Sequence, residues 1–158
     1  MLTQSEANIL IDMQKKYAKK EMYNFPLSGG ILTIPIVSMD EREAFLIDIN
    51  RKGRIRLAKC TYQERYQGII ILVRLDVDGR PHPNPEVENV PLPYLEPYNG
   101  QKLLCPHLHL YVEGFDDKWA IPALSDKFPR TGTIRATLDD FFRYCNVIEM
   151  PKVQGGLL

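Results

Sequence analysis

The sequence predicts an α+β domain, in which a twisted antiparallel sheet of five or six strands is flanked by an N-terminal helix and a short C-terminal helix. Two observations predict this class. Runs rich in β-branched residues alternate between apolar and polar side chains within residues 31–121, as in strands. Helical spacing of apolar residues marks residues 3–20 and 137–146 on either side. A chain of 158 residues fits one domain with one core, so we expect residues 1–158 to form a single domain.

The N-terminal helix is predicted from its first turn. Thr3-Gln-Ser-Glu6 has the form of a capping box, in which the hydroxyl and the carboxylate each accept a hydrogen bond from a free backbone N–H group. Leu10, Met13 and Tyr17 then follow at helical spacing. Four lysines lie within residues 15–20, where the negative end of a helix dipole favours cations. We therefore expect one helix over residues 3–20.

The remaining chain predicts strands, one long loop and a second helix. Asn50-Arg-Lys-Gly53 is typical of a hairpin turn. Six of the twelve prolines fall between Pro81 and Pro97, which predicts a loop over residues 78–100 that could order as a fixed lid. Thr137-Leu-Asp-Asp140 resembles a helix start, and residues 151–158, which contain Gly155 and Gly156, are expected to form a mobile tail.

Composition excludes several classes of protein. A hydrophobic content of 44% with 25% charged residues is ordinary for a folded globular domain. No apolar run approaches the ~20 residues that a membrane span requires, and we expect a cytoplasmic protein without a membrane partner. Cys60, Cys105 and Cys145 show no C-x-x-C spacing, which argues against a disulfide framework or a zinc ribbon. We expect no cofactor.

The segment 103–113 carries the most informative pattern. If it forms a strand, Leu108, Leu110 and Val112 lie on one face, whereas three polar side chains lie on the other face: His107, His109 and Tyr111. The chain contains only three histidines, so two of them at i and i+2 are a marked concentration.

A second concentration of polar residues precedes this strand. Arg74 and Asp76 interrupt a run that is otherwise apolar on both faces, and a charge in a central strand needs a partner or a function. His82 follows in the proline-rich loop. If the strands form an antiparallel meander, Arg74, Asp76, His82 and the two strand histidines converge.

Metal-independent cleavage of RNA is the leading functional hypothesis. One neutral imidazole can accept the proton of a ribose 2′-hydroxyl while a protonated one donates to the leaving 5′-oxygen. Arg74 would stabilise the charge on the phosphate, and Tyr111 would share the acid role or stack on a base. The candidate catalytic residues are therefore His107, His109, Arg74, His82 and Tyr111.

Two alternatives stay open. His107 and His109, with His82 and Asp76, could instead bind zinc or iron, although the spacing of a third and fourth ligand is not diagnostic. The histidines and the tyrosine could also form a hydrogen-bonded polar patch or a docking surface. The protein would then be a non-catalytic binding module, such as an inhibitor of a nucleoprotein complex.

A basic segment predicts a nucleic-acid surface. The formal net charge of the chain is zero, yet the segment between Arg51 and Arg65 has a local excess of five positive charges. Clustered exposed cations attract a phosphate backbone even when the whole chain is neutral. The candidate RNA-binding residues are Arg51, Lys52, Arg54, Arg56, Lys59 and Arg65.

Two stretches resemble known families: Val73-Arg-Leu-Asp-Val-Asp-Gly-Arg-Pro-His-Pro-Asn-Pro85 and Pro106-His-Leu-His-Leu-Tyr111. Together they look like small, mostly uncharacterised bacterial and phage domains. More distantly, they are similar to small ribonuclease toxins of toxin–antitoxin pairs, which carry an arginine strand, a histidine-bearing loop and a P-H-x-H segment. The resemblance implies a role in bacterial or phage conflict, with RNA as a partner and an antitoxin or a defence complex as a second partner. It carries a functional role to Arg74, His82, His107 and His109.

Overall fold

A computed structural model describes residues 1–52 and 59–155 of the chain. In these two ranges the α-helices are Gln4–Asp12 (α1) and Ile134–Tyr144 (α2), and a 3₁₀ helix covers Pro93–Tyr98. The strands, in chain order, are Lys15–Tyr17 (β1), Met22–Asn24 (β2), Ile31–Ser38 (β3), Ala44–Asn50 (β4), Thr61–Tyr66 (β5), Ile70–Asp76 (β6), His82–Pro83 (β7), Lys102–Leu103 (β8), His107–Leu110 (β9), Ala120–Pro122 (β10), Val147–Glu149 (β11) and Lys152–Gln154 (β12).

The main sheet of the described chain has eight strands in the order β10-β9-β6-β5-β4-β3-β1-β11. Neighbouring strands are antiparallel except β1 and β11, which pair in parallel. The predicted α+β class and the presence of a helix near each end are confirmed. The prediction of a purely antiparallel sheet of five or six strands was wrong, because short segments near both ends of the chain add β1 and β11 to one edge.

The N-terminal helix is shorter than the predicted range of residues 3–20. The capping box is present, with Thr3 and Glu6 bonded to each other's backbone N–H groups. Met13 then takes an extended conformation, and the next residues pair with β3 as β1. The first two lysines of this segment therefore enter the sheet, since pairing with β3 outweighs local helix propensity. None of the described helices is long and apolar enough to cross a membrane.

The C-terminal elements also differ from the prediction. Helix α2 begins at Ile134 after the N-cap Thr133, rather than at residue 137, and it ends at Tyr144. The Thr137 hydroxyl donates to the Thr133 carbonyl inside the helix, so this threonine does not cap it. The predicted mobile tail contains β12, which pairs in parallel with β2. Residues 156–158 lie outside the described ranges.

The proline-rich segment 78–100 is more structured than the predicted loop. Its β7 pairs with β8, and the 3₁₀ helix begins at Pro93, where a missing N–H group costs no hydrogen bond. Asn84 fixes the segment to the sheet, because its amide group bonds to both the N–H and the carbonyl of Ala120. The segment thus holds His82 in a defined place beside the sheet edge.

The two faces of the main sheet have different chemistry. Cross-strand partners lie on the same face. One face carries an apolar row that α2 covers, and the Tyr62 hydroxyl donates to the Ile134 carbonyl at the start of that helix. Leu138 and Phe141 of α2 are fully buried on this face, each contributing roughly 1.5–3 kcal/mol. The other face carries polar side chains that run across five strands, namely Thr33, Asp48, Gln63, Arg74 and His109.

Candidate active site

Pairing between β6 and β9 sets the core of the site. Arg74 lies opposite His109, and Asp76 lies opposite His107, so all four side chains stand on the polar face of the sheet. Both histidines come from one strand at i and i+2, as alternation requires. The sequence pattern R-x-D on one strand and H-x-H on the next thus becomes one contiguous cluster.

His82 joins this cluster from the proline-rich segment. Its ring centroid lies 4.5 Å from that of His109 and 5.9 Å from that of His107, while the two strand histidines are 5.0 Å apart. All three histidines of the chain therefore lie side by side. We call Arg74, Asp76, His82, His107 and His109 the histidine cluster.

Asp76 is the acceptor at the centre of the histidine cluster. His107 Nε2 donates to Asp76 Oδ2 over 3.1 Å, and His109 Nε2 is 3.4 Å from the same oxygen. Arg74 Nε lies 3.3 Å from Asp76 Oδ1. Burial by itself would raise the pKa of Asp76, but the hydrogen bond from His107, the adjacent His109 ring and the Arg74 charge outweigh it and hold this pKa well below its usual range. Asp76 is therefore a carboxylate at neutral pH.

Residues 117 and 118 fix three members of the cluster. The Asp117 carbonyl accepts a hydrogen bond from His109 Nδ1 at 2.8 Å, and the Lys118 carbonyl accepts one from His82 Nε2 at 2.8 Å. The Asp117 carboxylate holds Arg74 Nη1 at 2.6 Å. A carbonyl only accepts, so these contacts place the ring protons on His109 Nδ1 and His82 Nε2.

In these tautomers His109 Nε2 and His82 Nδ1 each carry a lone pair, and the two nitrogens have different surroundings. His109 Nε2 accepts a hydrogen bond from Arg74 Nη2 at 2.9 Å. His82 Nδ1 has no hydrogen-bond partner among the described residues. Burial, followed by the charges of the neighbouring rings and Arg74, lowers the pKa of His82, against the effect of its bond to Lys118. His82 thus presents a neutral imidazole with a free basic nitrogen.

Exposure differs sharply within the cluster. The side chains of His107 and His109 are only 1% and 0% exposed, whereas those of Arg74 and Asp76 are 24% and 20% exposed. The His82 residue is also partly exposed. A bound molecule can therefore reach His82 and Arg74 directly, while His107 and His109 form the floor beneath them.

Cys105 lies at the edge of the floor. Its Sγ is 3.6 Å from His107 Nδ1, so each ring nitrogen of His107 has a polar neighbour. Burial, then the charges of Asp76 and Asp78, raises the pKa of the Cys105 thiol to about 11. The thiol is therefore protonated at neutral pH and is not a reactive thiolate.

The structure does not bring Tyr111 to the histidine cluster. Its hydroxyl donates to the Leu2 carbonyl at 2.8 Å, and the side chain packs in the hydrophobic core. Strand β9 ends at Leu110, so the alternation that places His107 and His109 on the polar face does not extend to this residue. Tyr111 holds the chain before α1 against the sheet.

The predicted basic surface is only partly available for a nucleic acid. Arg51 is buried and its Nη1 donates to the Pro26 carbonyl, while Arg65 forms a two-point ion pair with Asp48. Lys52 is exposed and Lys59 is half-buried. Arg54 and Arg56 lie outside the described residues, as does the predicted hairpin glycine.

Sequence reasoning missed the role of residues 117 and 118. The sequence of residues 114–118 predicts a turn. It cannot show which backbone carbonyl accepts a hydrogen bond from a histidine, because every residue has such a carbonyl. Asp117 is one of two adjacent aspartates there, and only the packing of the turn against β9 distinguishes it from Asp116.

Fold and site together define a small α+β protein with a mixed eight-stranded sheet and a histidine–arginine–aspartate cluster on its polar face. Residues 2–147 match the family model described as "Family of unknown function (DUF6978)", and the chain belongs to that family. No curated protein and no solved structure matches the chain significantly.

Proposed function

We propose that this protein is a metal-independent, toxin-like ribonuclease whose active site is the histidine cluster. The observation that carries the proposal is the free Nδ1 of the partly exposed His82, which lies above a buried network of two histidines and a carboxylate, with Arg74 beside it. A general base requires an accessible lone pair, and a phosphoryl group requires a cationic partner.

The proposed reaction is intramolecular transesterification. His82 Nδ1 takes the proton of a ribose 2′-hydroxyl, and the resulting oxygen nucleophile attacks the adjacent phosphorus. Arg74 stabilises the charge that builds on the phosphoryl oxygens, since a guanidinium forms paired hydrogen bonds to them. The 5′-oxygen leaves with the proton that His82 Nδ1 took from the 2′-hydroxyl, so His82 ends the step neutral, as it began. The products are a 2′,3′-cyclic phosphate and a 5′-hydroxyl.

The buried members of the cluster have a positioning role in this scheme. Asp76 and Asp117 hold Arg74 from two sides, at 3.3 Å and 2.6 Å. The Lys118 carbonyl orients His82 so that Nδ1, not Nε2, is the free nitrogen. Preorganisation of this kind reduces the ordering that substrate binding would otherwise require.

The biological setting follows from the sequence resemblance alone. The Arg74 strand, the His82 loop and the P-H-x-H segment resemble ribonuclease toxins, which supports a role in bacterial or phage conflict. In that setting a toxin requires an antitoxin, and the polar sheet face around Arg74 is where such a partner would block substrate access.

A non-catalytic binding module is the second candidate. The observation that favours it is the depth of His107 and His109, whose ring nitrogens all have polar neighbours inside the described chain. A satisfied polar network of this kind can simply specify the sheet register. The protein would then be a phage or mobile-element inhibitor or adaptor that binds RNA or a host defence nucleoprotein complex.

Incubation of the purified protein with total RNA in EDTA distinguishes the two candidates. The ribonuclease proposal expects cleavage that persists without metal and falls about 10²–10⁴-fold in His82→Ala. Arg42→Ala is the control for the loss of one positive charge, because the Arg42 side chain is 84% exposed and its carboxylate neighbour is Asp40. Intact RNA with the wild-type protein, under conditions where binding is measurable, would leave the adaptor as the function.

A further inference from the structure

Three potential metal ligands converge at the floor of the histidine cluster. Asp76 Oδ2 lies 3.1 Å from His107 Nε2 and 3.4 Å from His109 Nε2, and the three atoms all lie within 4.8 Å of one another. A tetrahedral zinc ion with bonds of about 2.0–2.1 Å separates its ligand atoms by roughly 3.3 Å. Two of the three separations already have this length.

The outer nitrogens of both histidines are also arranged as a metal site requires. A ligating imidazole normally donates its other N–H group to a nearby acceptor, which fixes the ring. His109 Nδ1 donates to the Asp117 carbonyl at 2.8 Å. His107 Nδ1 is 3.6 Å from Cys105 Sγ, which can accept a hydrogen bond as well as donate one. His107 Nε2 carries a proton in its hydrogen bond to Asp76, so a metal ion requires the other tautomer, in which His107 Nδ1 donates to Cys105 Sγ. In that tautomer both rings direct an Nε2 lone pair at the same point.

Arg74 competes for that point. Its Nη2 donates to His109 Nε2 at 2.9 Å, and an imidazole nitrogen has one lone pair, which serves either a hydrogen-bond donor or a metal ion. The guanidinium is 24% exposed and its other terminal nitrogen is held by Asp117, so it can turn toward solvent about that contact. A divalent ion beside an unmoved guanidinium would meet strong charge repulsion.

We infer that Asp76, His107 and His109 bind one cation at a time. This cation is either the Arg74 guanidinium or a first-row divalent transition-metal ion such as zinc. Two imidazoles and one carboxylate are ligands that suit zinc and exclude magnesium and calcium as the preferred ions. This goes beyond the proposed ribonuclease activity: a bound ion takes the lone pair of His109 and displaces Arg74, so the metal acts as a reversible inhibitor.

The test is titration of the full-length, chelator-treated protein with zinc by isothermal calorimetry, which uses no RNA. We expect one site per chain in the wild type. Asp76→Asn, which keeps the shape of the side chain, should weaken zinc binding by more than the 10–100-fold that outer-shell changes cost. Arg74→Ala should strengthen zinc binding by about tenfold, because both the competing donor and its positive charge are gone.

Arg65→Ala is the control for a general loss of positive charge on the same face, and its zinc affinity should equal that of the wild type. Cobalt absorption provides a second measurement, since a tetrahedral site gives an intense visible band that Asp76→Asn lacks. The inference is overturned if wild type and Asp76→Asn bind zinc equally, or if Arg74→Ala binds no more tightly than Arg65→Ala. Because calorimetry does not depend on cleavage, failure here leaves the ribonuclease proposal standing, and the reverse also holds.

Discussion

Two of the polar clusters in the described part of this sheet differ in whether they reach solvent. On the helix-covered face, Lys15 and Glu64 form an ion pair at 3.1 Å with both side chains 0% exposed. On the opposite face, the histidine cluster has an equally buried floor but opens through His82 and Arg74. Burial of charge alone therefore does not indicate a functional site. A functional site is indicated by a solvent-accessible nitrogen or guanidinium next to the buried groups.

The Lys15 ammonium of the closed pair is fully hydrogen-bonded by the protein itself. Lys15 Nζ donates to the carbonyls of Ile11, Met13 and Cys145, so the ammonium lies at the C-terminal ends of both helices. The negative ends of two helix dipoles and Glu64 together compensate its charge. The Phe45 ring adds a cation–π contact at 4.9 Å. Such a group contributes to stability and offers no position for a substrate.

Replacement of Lys15 gives the largest effect that we expect. Lys15→Met removes one partner of a buried pair, leaves Glu64 without its counter-charge, and should lower the free energy of unfolding by about 3–5 kcal/mol. Denaturant unfolding measures this change. Lys16→Met is the matched control, because Lys16 forms a partly exposed pair with Glu41, and it should cost roughly 0–1 kcal/mol. Equal effects of the two variants would contradict the structural role of the pair.

The pH dependence of the same variant sharpens this prediction. Burial raises the pKa of Glu64 to about 7, against the opposing charge of Lys15. A carboxyl whose pKa is higher in the folded state than in the unfolded state keeps its proton on folding, so stability falls as pH rises above the unfolded value. The wild type should therefore lose stability between about pH 4.5 and pH 7, whereas in Lys15→Met, where the pKa of Glu64 rises further, the loss should continue above pH 7. A parallel pH profile for the two proteins would count against this explanation.

Within the histidine cluster, a variant of the buried floor should lose more unfolding free energy than a variant at the partly exposed opening. His109→Ala leaves the Asp117 carbonyl and Arg74 without their partner and should cost about 2–3 kcal/mol of unfolding free energy. His82→Ala removes one bond to a carbonyl at the partly exposed edge and should cost about 1 kcal/mol or less. Thermal unfolding of both variants tests the difference. A larger loss for His82→Ala would reverse our assignment of floor and opening.

Tyr111→Phe should have the smallest effect. It removes the hydroxyl that donates to the Leu2 carbonyl, at a cost of about 1 kcal/mol of unfolding free energy, and it leaves any RNA cleavage unchanged. Tyr94→Phe is the control, because the Tyr94 hydroxyl makes no hydrogen bond to the described chain, and unfolding should be unaffected. A large loss of cleavage in Tyr111→Phe, with stability preserved, would restore the catalytic role that its sequence position predicts.

The sequence predicts the polar cluster better than it predicts the sheet. Alternation in two strands places Arg74 and Asp76 on one side of β6 and both strand histidines on one side of β9, and antiparallel pairing then joins them. His82 comes close because only a short run of chain separates it from β6. These are local patterns, and local patterns are visible in a single sequence.

The unpredicted features depend on contacts between distant parts of the chain. Lys15 enters a strand because β3 and β11 lie on either side of it, and β11 is more than a hundred residues away. A lysine-rich segment after a capped helix favours continued helix by local propensity alone. The carbonyl groups that orient His82 and His109 are likewise set by the path of the turn before β10, for which side-chain identity gives no signal.

The most direct test of the account is the chemistry of RNA ends produced in EDTA by the wild type and by His82→Ala. If the histidine cluster cleaves by attack of the 2′-oxygen, the wild type yields 2′,3′-cyclic phosphate and 5′-hydroxyl ends. His82→Ala then yields about 10²–10⁴-fold less, although it folds normally. A substrate with a single 2′-deoxy position should resist cleavage there. Products with 5′-phosphate ends, or equal cleavage by wild type and His82→Ala, would contradict the account.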